Sequence, residues 1–430
     1  MSGSALRSLT VAAKGKGPVN LARRVRSIGS HYGAGAGRME QRLESVLEIV
    51  ERHGCRATLP ITAVAVQRNP RVVAALAERG IEFALHGLRH VDHRELDASE
   101  QVEQFGTAKR IFEENGIPVV GFRAPYLRTT DATMHALRVH GFDYDSSRAI
   151  HWPIPSELVT DGYLRAIDFY DAPSATEHPS LPTIEHGIVR IPCSLPDDEA
   201  AVDRLRLSAP QAIAHLWLDV FRATHDRGEV FTLAVHPERI ELCGPGIEAV
   251  LDAARSSTKA VWIARLDELA RWWRARAEAT VTVREVARHR WQADVVGPEG
   301  LVASARGADV VRVGAADRGN APAWARFEVR TSARPVIGVH PSSEERLAPF
   351  LRAHGYLVED TDRRDGYASF LRRERFAPED EGPILRELAD GAGPLLRLGR
   401  WPGGARSALA ITGDVDALTI WDYVSRFVGR

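Results

Sequence analysis

Two histidines stand four residues apart in the segment Phe83-Ala84-Leu85-His86-Gly87-Leu88-Arg89-His90, just beyond a short apolar run. If the chain turns helical there, both imidazoles fall on one face and can share a metal ion. Histidines at this spacing also occur on ordinary solvated surfaces. The residue after the first histidine is Gly87, where a zinc protease of the HExxH type carries its glutamate base, so a general base has to come from elsewhere in the chain. His93, seven residues after His86, offers an all-histidine alternative for the third ligand, although Val91-Asp92-His93-Arg94-Glu95 reads as a solvated polar turn. Downstream, Gly121-Phe122-Arg123-Ala124-Pro125-Tyr126 ends another predicted strand. An arginine buried at such a strand end can hold a carboxylate fixed and ionised, and the proline shapes a turn whose following N–H points inward. Phe231-Thr232-Leu233-Ala234-Val235-His236-Pro237 delivers one more histidine at a strand end, where parallel α/β folds gather their active sites.

These residues need a scaffold, and the pattern around them supplies one. Met39–His53 has helical periodicity and stops at Gly54; Ala57–Ala65 is a β-branched strand; Val72–Arg79 is helical; Glu82–Leu85 is a strand. The alternation continues with helices predicted at Ser99–Asn115, Thr130–His140, Gln211–Arg227, Ile247–Ala254 and Leu266–Ala277. Strands are predicted at Val119–Phe122, Glu229–Val235 and Val261–Ile263. Repeated βα units require a parallel sheet covered by helices, doubly wound or closed toward a barrel. From residue 278 the character changes to short alternating segments split by Gly and Pro: Thr280–Val283, Trp291–Val296, Leu301–Ala305, Ala308–Val313 and Arg326–Arg330. They predict an antiparallel β unit, followed by a small βαβ over Pro335–Glu359. An apolar strand then returns at Ser407–Ile411 and runs into Gly413-Asp414-Val415-Asp416, with a short helix-like segment, Trp421–Arg430, after it.

Composition narrows the function classes. With 430 residues, 44% hydrophobic and 26% charged, the chain fits a globular protein of about two domains. Its 56 basic and 57 acidic residues leave a net charge of −1, so no global field attracts nucleic acid. Three scattered cysteines, Cys55, Cys193 and Cys243, read as buried thiols rather than a disulfide framework. No signal peptide or membrane span is legible, which points to the cytoplasm and to an intracellular substrate such as a lipid-linked or nucleotide-linked sugar. Leu21, Val25, Ile28 and Tyr32 recur at helical spacing among Arg23, Arg24 and Arg26. A helix over 20–32 of that kind packs on a core or makes a peripheral membrane contact.

Taken in order, His86/His90, Arg123/Pro125/Tyr126 and Leu233-Ala234-Val235-His236 resemble the motifs of the polysaccharide deacetylase family, over about residues 39–275. Gly141-Phe142-Asp143-Tyr144-Asp145-Ser146-Ser147 and Val261–Trp273 lie at matching distances. The resemblance implies a distorted (β/α) barrel-like domain that removes an N-acetyl group from an amino sugar using one divalent ion, Zn2+ first, with Co2+, Ni2+ or Mn2+ as substitutes. It gives His86 and His90 as metal ligands, His236 as the acid for the leaving amine, and the backbone N–H at Tyr126 as an oxyanion donor. Three departures stand out: Gly87 replaces a Ser or Thr, Leu-Ala-Val-His is one residue longer than the family's Leu-x-His, and no carboxylate precedes Glu40 to form the opening Asp motif. For the acidic residue that orients the acid histidine, Asp145, Asp168 and Glu185 are candidates.

The missing opening motif has a counterpart at the far end. Ala408-Leu409-Ala410-Ile411-Thr412-Gly413-Asp414-Val415-Asp416 reads like the family's first strand, which implies a circularly permuted domain with Asp414 as base, steadied by Arg123, and Asp416 as third ligand. Alternate residues of a strand share a side, so both carboxylates can face one site; an edge strand ending in a polar turn is the plainer reading. The expected division is a tail and basic helix over 1–38, a deacetylase barrel over 39–277, an accessory β-rich and small α/β region over 278–400, and a completing strand over 401–430. An amidase acting on a cyclic amide or small N-acyl compound, and a degenerate glycan-binding module, are the two alternatives.

Overall fold

The structure is a computed structural model that describes residues 32–305, 308–316, 323–391 and 393–426. The basic helix expected over 20–32 lies outside the described residues except for Tyr32, as do the tail before it and the last four positions of the segment expected at 421–430. The chain divides into two compact units. One takes the described residues within Met1–Thr176, Ser180–Ala270 and Ala408–Arg430; the other takes those within Glu177–Pro179 and Arg271–Ser407.

The first unit is built on nine strands: β1 (Thr58–Ile61), β2 (Glu82–Leu85), β3 (Gly121–Phe122), β4 (Tyr144–Asp145), β5 (Thr183–Glu185), β6 (Ile188–Arg190), β7 (Val230–Ala234), β8 (Val261–Ile263) and β9 (Ser407–Thr412). Their order is β8-β9-β1-β2-β3-β4-β6-β5, with β7 also paired to β9. It is an α/β fold on a curled, mainly parallel sheet, with β5 and β6 as an antiparallel pair. Every residue of β1, β2, β7 and β9 is buried, the continuous burial that a parallel sheet covered on both faces demands. β9 arrives last in the chain yet lies between β1 and β7, parallel to both: Ala408–Thr412 registers on Val230–Ala234, and Thr412 on Thr58.

The covering helices follow from apolar spacing. Gly37–Arg52 buries Met39, Leu43, Val46, Leu47 and Val50 on one stripe. Ala98–Glu114 starts in a capping box between Asp97 and Glu100, and Pro210–Arg227 ends at Gly228 with φ 69°. Two features differ from expectation. The strand expected over Ala57–Ala65 stops at Ile61, and a helix starts at Ala63. Between residues 140 and 210 the chain adds a helix at Asp161–Phe169 and short strands at Ala149–His151, Thr183–Glu185, Ile188–Arg190 and Cys193–Leu195. Strands of two or three residues carry too little periodicity to be read without their neighbours.

In the second unit, Thr280–Ala287, Arg290–Gly297, Ala323–Arg330 and Val310–Ala316 form an antiparallel sheet in that order. Arg334–Val339 pairs in parallel with Val358–Asp360 and Tyr367–Leu371, and helices Leu347–Ala353 and Glu381–Asp390 accompany this second sheet. Among the described residues no helix is long and apolar enough to cross a membrane.

Candidate metal centre

The ends of β1, β2, β3, β7 and β9 converge on one place. His86 follows β2 directly, but the stretch to His90 is an irregular loop and not the helix the spacing allows. Its shape depends on Gly87, which sits at φ 80°, where a Cβ would meet the Arg89 carbonyl oxygen at 2.9 Å and His93 Cε1 at 3.2 Å. A Ser or Thr cannot occupy this position without strain. The loop is tied down by the start of the Ala63–Arg68 helix, whose Ala63 and Val64 N–H groups donate to the Gly87 and Leu88 carbonyls at 3.0 and 3.1 Å.

So held, His86 Nε2 lies 3.5 Å and His90 Nε2 3.2 Å from Asp416 Oδ1, and the three ligand atoms fall within 4.8 Å of one another. All three side chains are buried. His86 Nδ1 bonds the Arg123 carbonyl at 2.8 Å; a carbonyl only accepts, so Nδ1 carries the proton and Nε2 presents a lone pair. Asp416 Oδ1, although buried, receives no hydrogen bond. The His86 Nε2 lone pair and the Asp416 carboxylate oxygen, facing one another in a dry interior, repel unless a cation lies between them. Bonds of about 2.0–2.2 Å in a tetrahedral site put ligand atoms roughly 3.3–3.5 Å apart, which these contacts match. The donor set therefore fits a divalent ion of the zinc type. Arg426 stands behind it, with Nη2 3.6 Å from Asp416 Oδ2 and Nη1 3.4 Å from His90 Nδ1. Burial raises the Asp416 pKa, but His90 and His86 when protonated, with Arg426 and His236, bring it well below the usual carboxylate range.

Asp414 sits two residues earlier, on the same side. Its Oδ1 accepts from Arg123 Nη1 at 2.7 Å, and the same Nη1 donates to Thr412 Oγ1 at 2.8 Å. Arg123 is fully buried and spends its other donors on Ser146, with Nε to the carbonyl at 3.1 Å and Nη2 to Oγ at 3.0 Å. Burial raises the Asp414 pKa; the Arg123 guanidinium, with His86 and His236, more than reverses this, so the carboxylate stays ionised. Asp145 supports this frame from behind: it accepts the Ser147 N–H at 3.1 Å, Ser147 Oγ accepts the Ala124 N–H at 2.8 Å, and Arg190 pairs with the second Asp145 oxygen at 3.1 Å.

His236 follows β7 by two residues. Its partner is Asp198: Oδ1 meets Nδ1 at 2.8 Å, and Oδ2 accepts the His236 backbone N–H at 2.9 Å. Of the three expected partners, Asp145 holds Ser147 and pairs with Arg190, Glu185 pairs with Arg190 at 3.1 Å, and Asp168 is exposed on a helix. The signal missed was the acidic pair Asp197-Asp198, which follows the strand Cys193–Leu195 after Pro196, a strand itself too short to be read. Burial would push the His236 imidazole down; the Asp198 carboxylate outweighs it and holds the pKa well above the ordinary value. His93, read as solvated, is instead completely buried, edge-on to Phe105 and Phe122, and stands outside the ligand group. Burial pushes it down to about 3, so it is a neutral core residue.

Tyr126 closes one wall, packing edge-on against His90 at 4.7 Å between ring centroids. Tyr126 and Leu127 both adopt positive φ, 61° and 55°, a costly conformation for such side chains that the surrounding structure must enforce. The lining of the cleft includes His86, His90, His236, Asp414, Asp416 and Tyr170.

Residues 25–144 match the family model for polysaccharide deacetylase. A peptidoglycan deacetylase-like protein of Gibberella zeae is 28% identical over 230 residues, spanning 49% of this chain and 68% of that relative. Among solved structures, a probable polysaccharide deacetylase from Pseudomonas aeruginosa PAO1 is 22% identical with a TM-score of 0.44, covering 54% of this chain and 73% of the other. The Puue allantoinase is 21% identical with a TM-score of 0.43, covering 54% and 72%.

Proposed function

We propose, from the premise that this chain carries a polysaccharide deacetylase domain, that it hydrolyses the N-acetyl group of an amino sugar at a centre formed by His86, His90 and Asp416. The observation that carries the reading is the convergence of two imidazole nitrogens on a buried carboxylate oxygen with no hydrogen bond of its own. A divalent ion, zinc first, would supply Lewis-acid polarisation of the acetyl carbonyl and a water of lowered pKa. Asp414, kept ionised by Arg123, takes the proton of the attacking water. The Tyr126 backbone N–H donates to the oxygen that gains charge as the carbonyl carbon becomes tetrahedral. His236, with Nδ1 engaged by Asp198, offers Nε2–H to the departing nitrogen, so the C–N bond breaks to give acetate and an amine.

Acetate release from N-acetylglucosamine oligomers and nucleotide-linked N-acetylglucosamine tests the reading; metal-dependent release supports it. The same assay carries an allantoin arm, and ring opening there without acetate release would move the function to the amidase alternative. Sugar binding with neither metal nor turnover would make it a glycan-binding module. We propose in addition that the domain is circularly permuted, a reading supported by β9 entering the sheet between β1 and β7 from the C-terminal end of the chain.

A further inference from the structure

Two arginines of the second unit, Arg276 and Arg397, lie in its interior facing backbone carbonyls. Arg276, at 3% exposure, lies with its guanidinium 4.2 Å from the centre of the Trp273 ring and donates through Nη2 to the Ala353 carbonyl. Arg397, half-buried, donates through Nε to the next carbonyl, His354 O, at 2.9 Å and lies over Tyr356 at 4.9 Å. Gly355, at φ 86°, lets these groups close in: a Cβ there would meet Leu398 O at 2.4 Å and Arg276 Nη1 at 3.3 Å. Among the described residues neither arginine forms an ion pair with a carboxylate; the ionic neighbour of Arg276 is Arg397, and those of Arg397 are the Tyr356 hydroxyl and Arg406.

Capping of a helix explains part of this arrangement, since Ala353 and His354 close the helix Leu347–Ala353. A helix C-terminus offers only about half a negative charge, against two whole guanidinium charges. Four buried nitrogens around it also have no hydrogen-bond partner: Arg276 Nε, Arg397 Nη2, His354 Nδ1 and Trp273 Nε1. Burial pushes Arg276 down to about 9, with Arg397 adding to it, and burial with Arg400, Arg397 and Arg276 pushes His354 well down. Cations and donors buried without acceptors cost free energy that an anion would recover.

We propose that Arg276, Arg397, His354 and Trp273 form a phosphate-binding site in the second unit, separate from the candidate metal centre. Two guanidinium groups with unused N–H donors suit a tetrahedral oxyanion, which has three or more acceptor oxygens, better than a planar carboxylate. The phosphate comes either free or as a monoester.

Thermal melting of the full chain tests this, titrated with inorganic phosphate and separately with glucose 1-phosphate, each against sodium chloride at equal ionic strength. A saturable rise in Tm at low-millimolar concentration is expected. It should persist in Asp416→Ala, which removes a ligand of the metal centre, and vanish in Arg276→Met and in Arg397→Met. The arm with the lower half-saturation concentration identifies free or esterified phosphate. A Tm equal in phosphate, ester and chloride overturns the site, as does a rise of unchanged size in Arg397→Met. Arg397 is half-buried, so this variant decides the matter even if Arg276→Met fails to fold.

Discussion

Gly87 shows how a departure from a family motif acquires a physical reason only in three dimensions. At φ 80°, with the Arg89 carbonyl against its missing Cβ, the position excludes the Ser or Thr that the motif carries. Gly87→Ser is therefore expected to lower stability by about 1–3 kcal/mol and to weaken metal binding by displacing His86 and His90, read by melting and metal titration. The Asp198–His236 pair gives a pH prediction. Under the proposed mechanism His236 serves as acid only while protonated, so activity is expected to fall as pH rises through its pKa, which Asp198 has raised against the opposing effect of burial. Asp198→Asn should move the alkaline limb of the kcat/KM profile to lower pH and reduce kcat by about 10²–10⁴-fold; an unchanged limb would separate His236 from the acid step. His86, Arg123 and His236 were legible because each ends an apolar run, and His90 because it stands four residues after His86. Asp198 was not, because its strand is three residues long. His93 was misread because the charged neighbours that mimic a surface turn say nothing of Phe105 and Phe122, which bury it.

At the level of elements, β9 is the part on which both fold and site depend. Its residues are buried throughout and register along their length on β7. A chain ending before Ser407 should lose cooperative melting in the first unit, because a gap in the sheet strands unpaired N–H and C=O groups of β7 and β1. If the permutation is correct, a rearranged chain with residues 401–426 placed before residue 33 through a flexible linker should fold and bind metal as the original does. Circular dichroism and metal titration check this, and an unfolded product from several linker lengths would argue against permutation. The strand itself was legible as an apolar run ending in Asp-x-Asp. The helix starting at Ala63 was not, because Ala63-Val64-Ala65-Val66 carries equal strand and helix character until the Gly87 and Leu88 carbonyls accept its first N–H groups.

For the whole molecule, the cleft collects residues from positions 86 to 416, so the chemistry belongs to the assembled sheet and to no single segment. Alternation of helix and strand made the α/β class legible, and the change near residue 278 marked the β-rich stretch; the buried arginines of the second unit had no signature, since their meaning lies in what fails to surround them. The claim on which the rest depends is that the C-terminal strand supplies a metal ligand to two histidines more than 300 residues earlier. The most direct measurement is the metal content, by plasma mass spectrometry, of wild type and Asp416→Ala after reconstitution with zinc and extensive dialysis. About one ion per chain is expected in the wild type and under about one-tenth of that in the variant, with both melting cooperatively; one tightly held ion in folded Asp416→Ala would contradict the assignment.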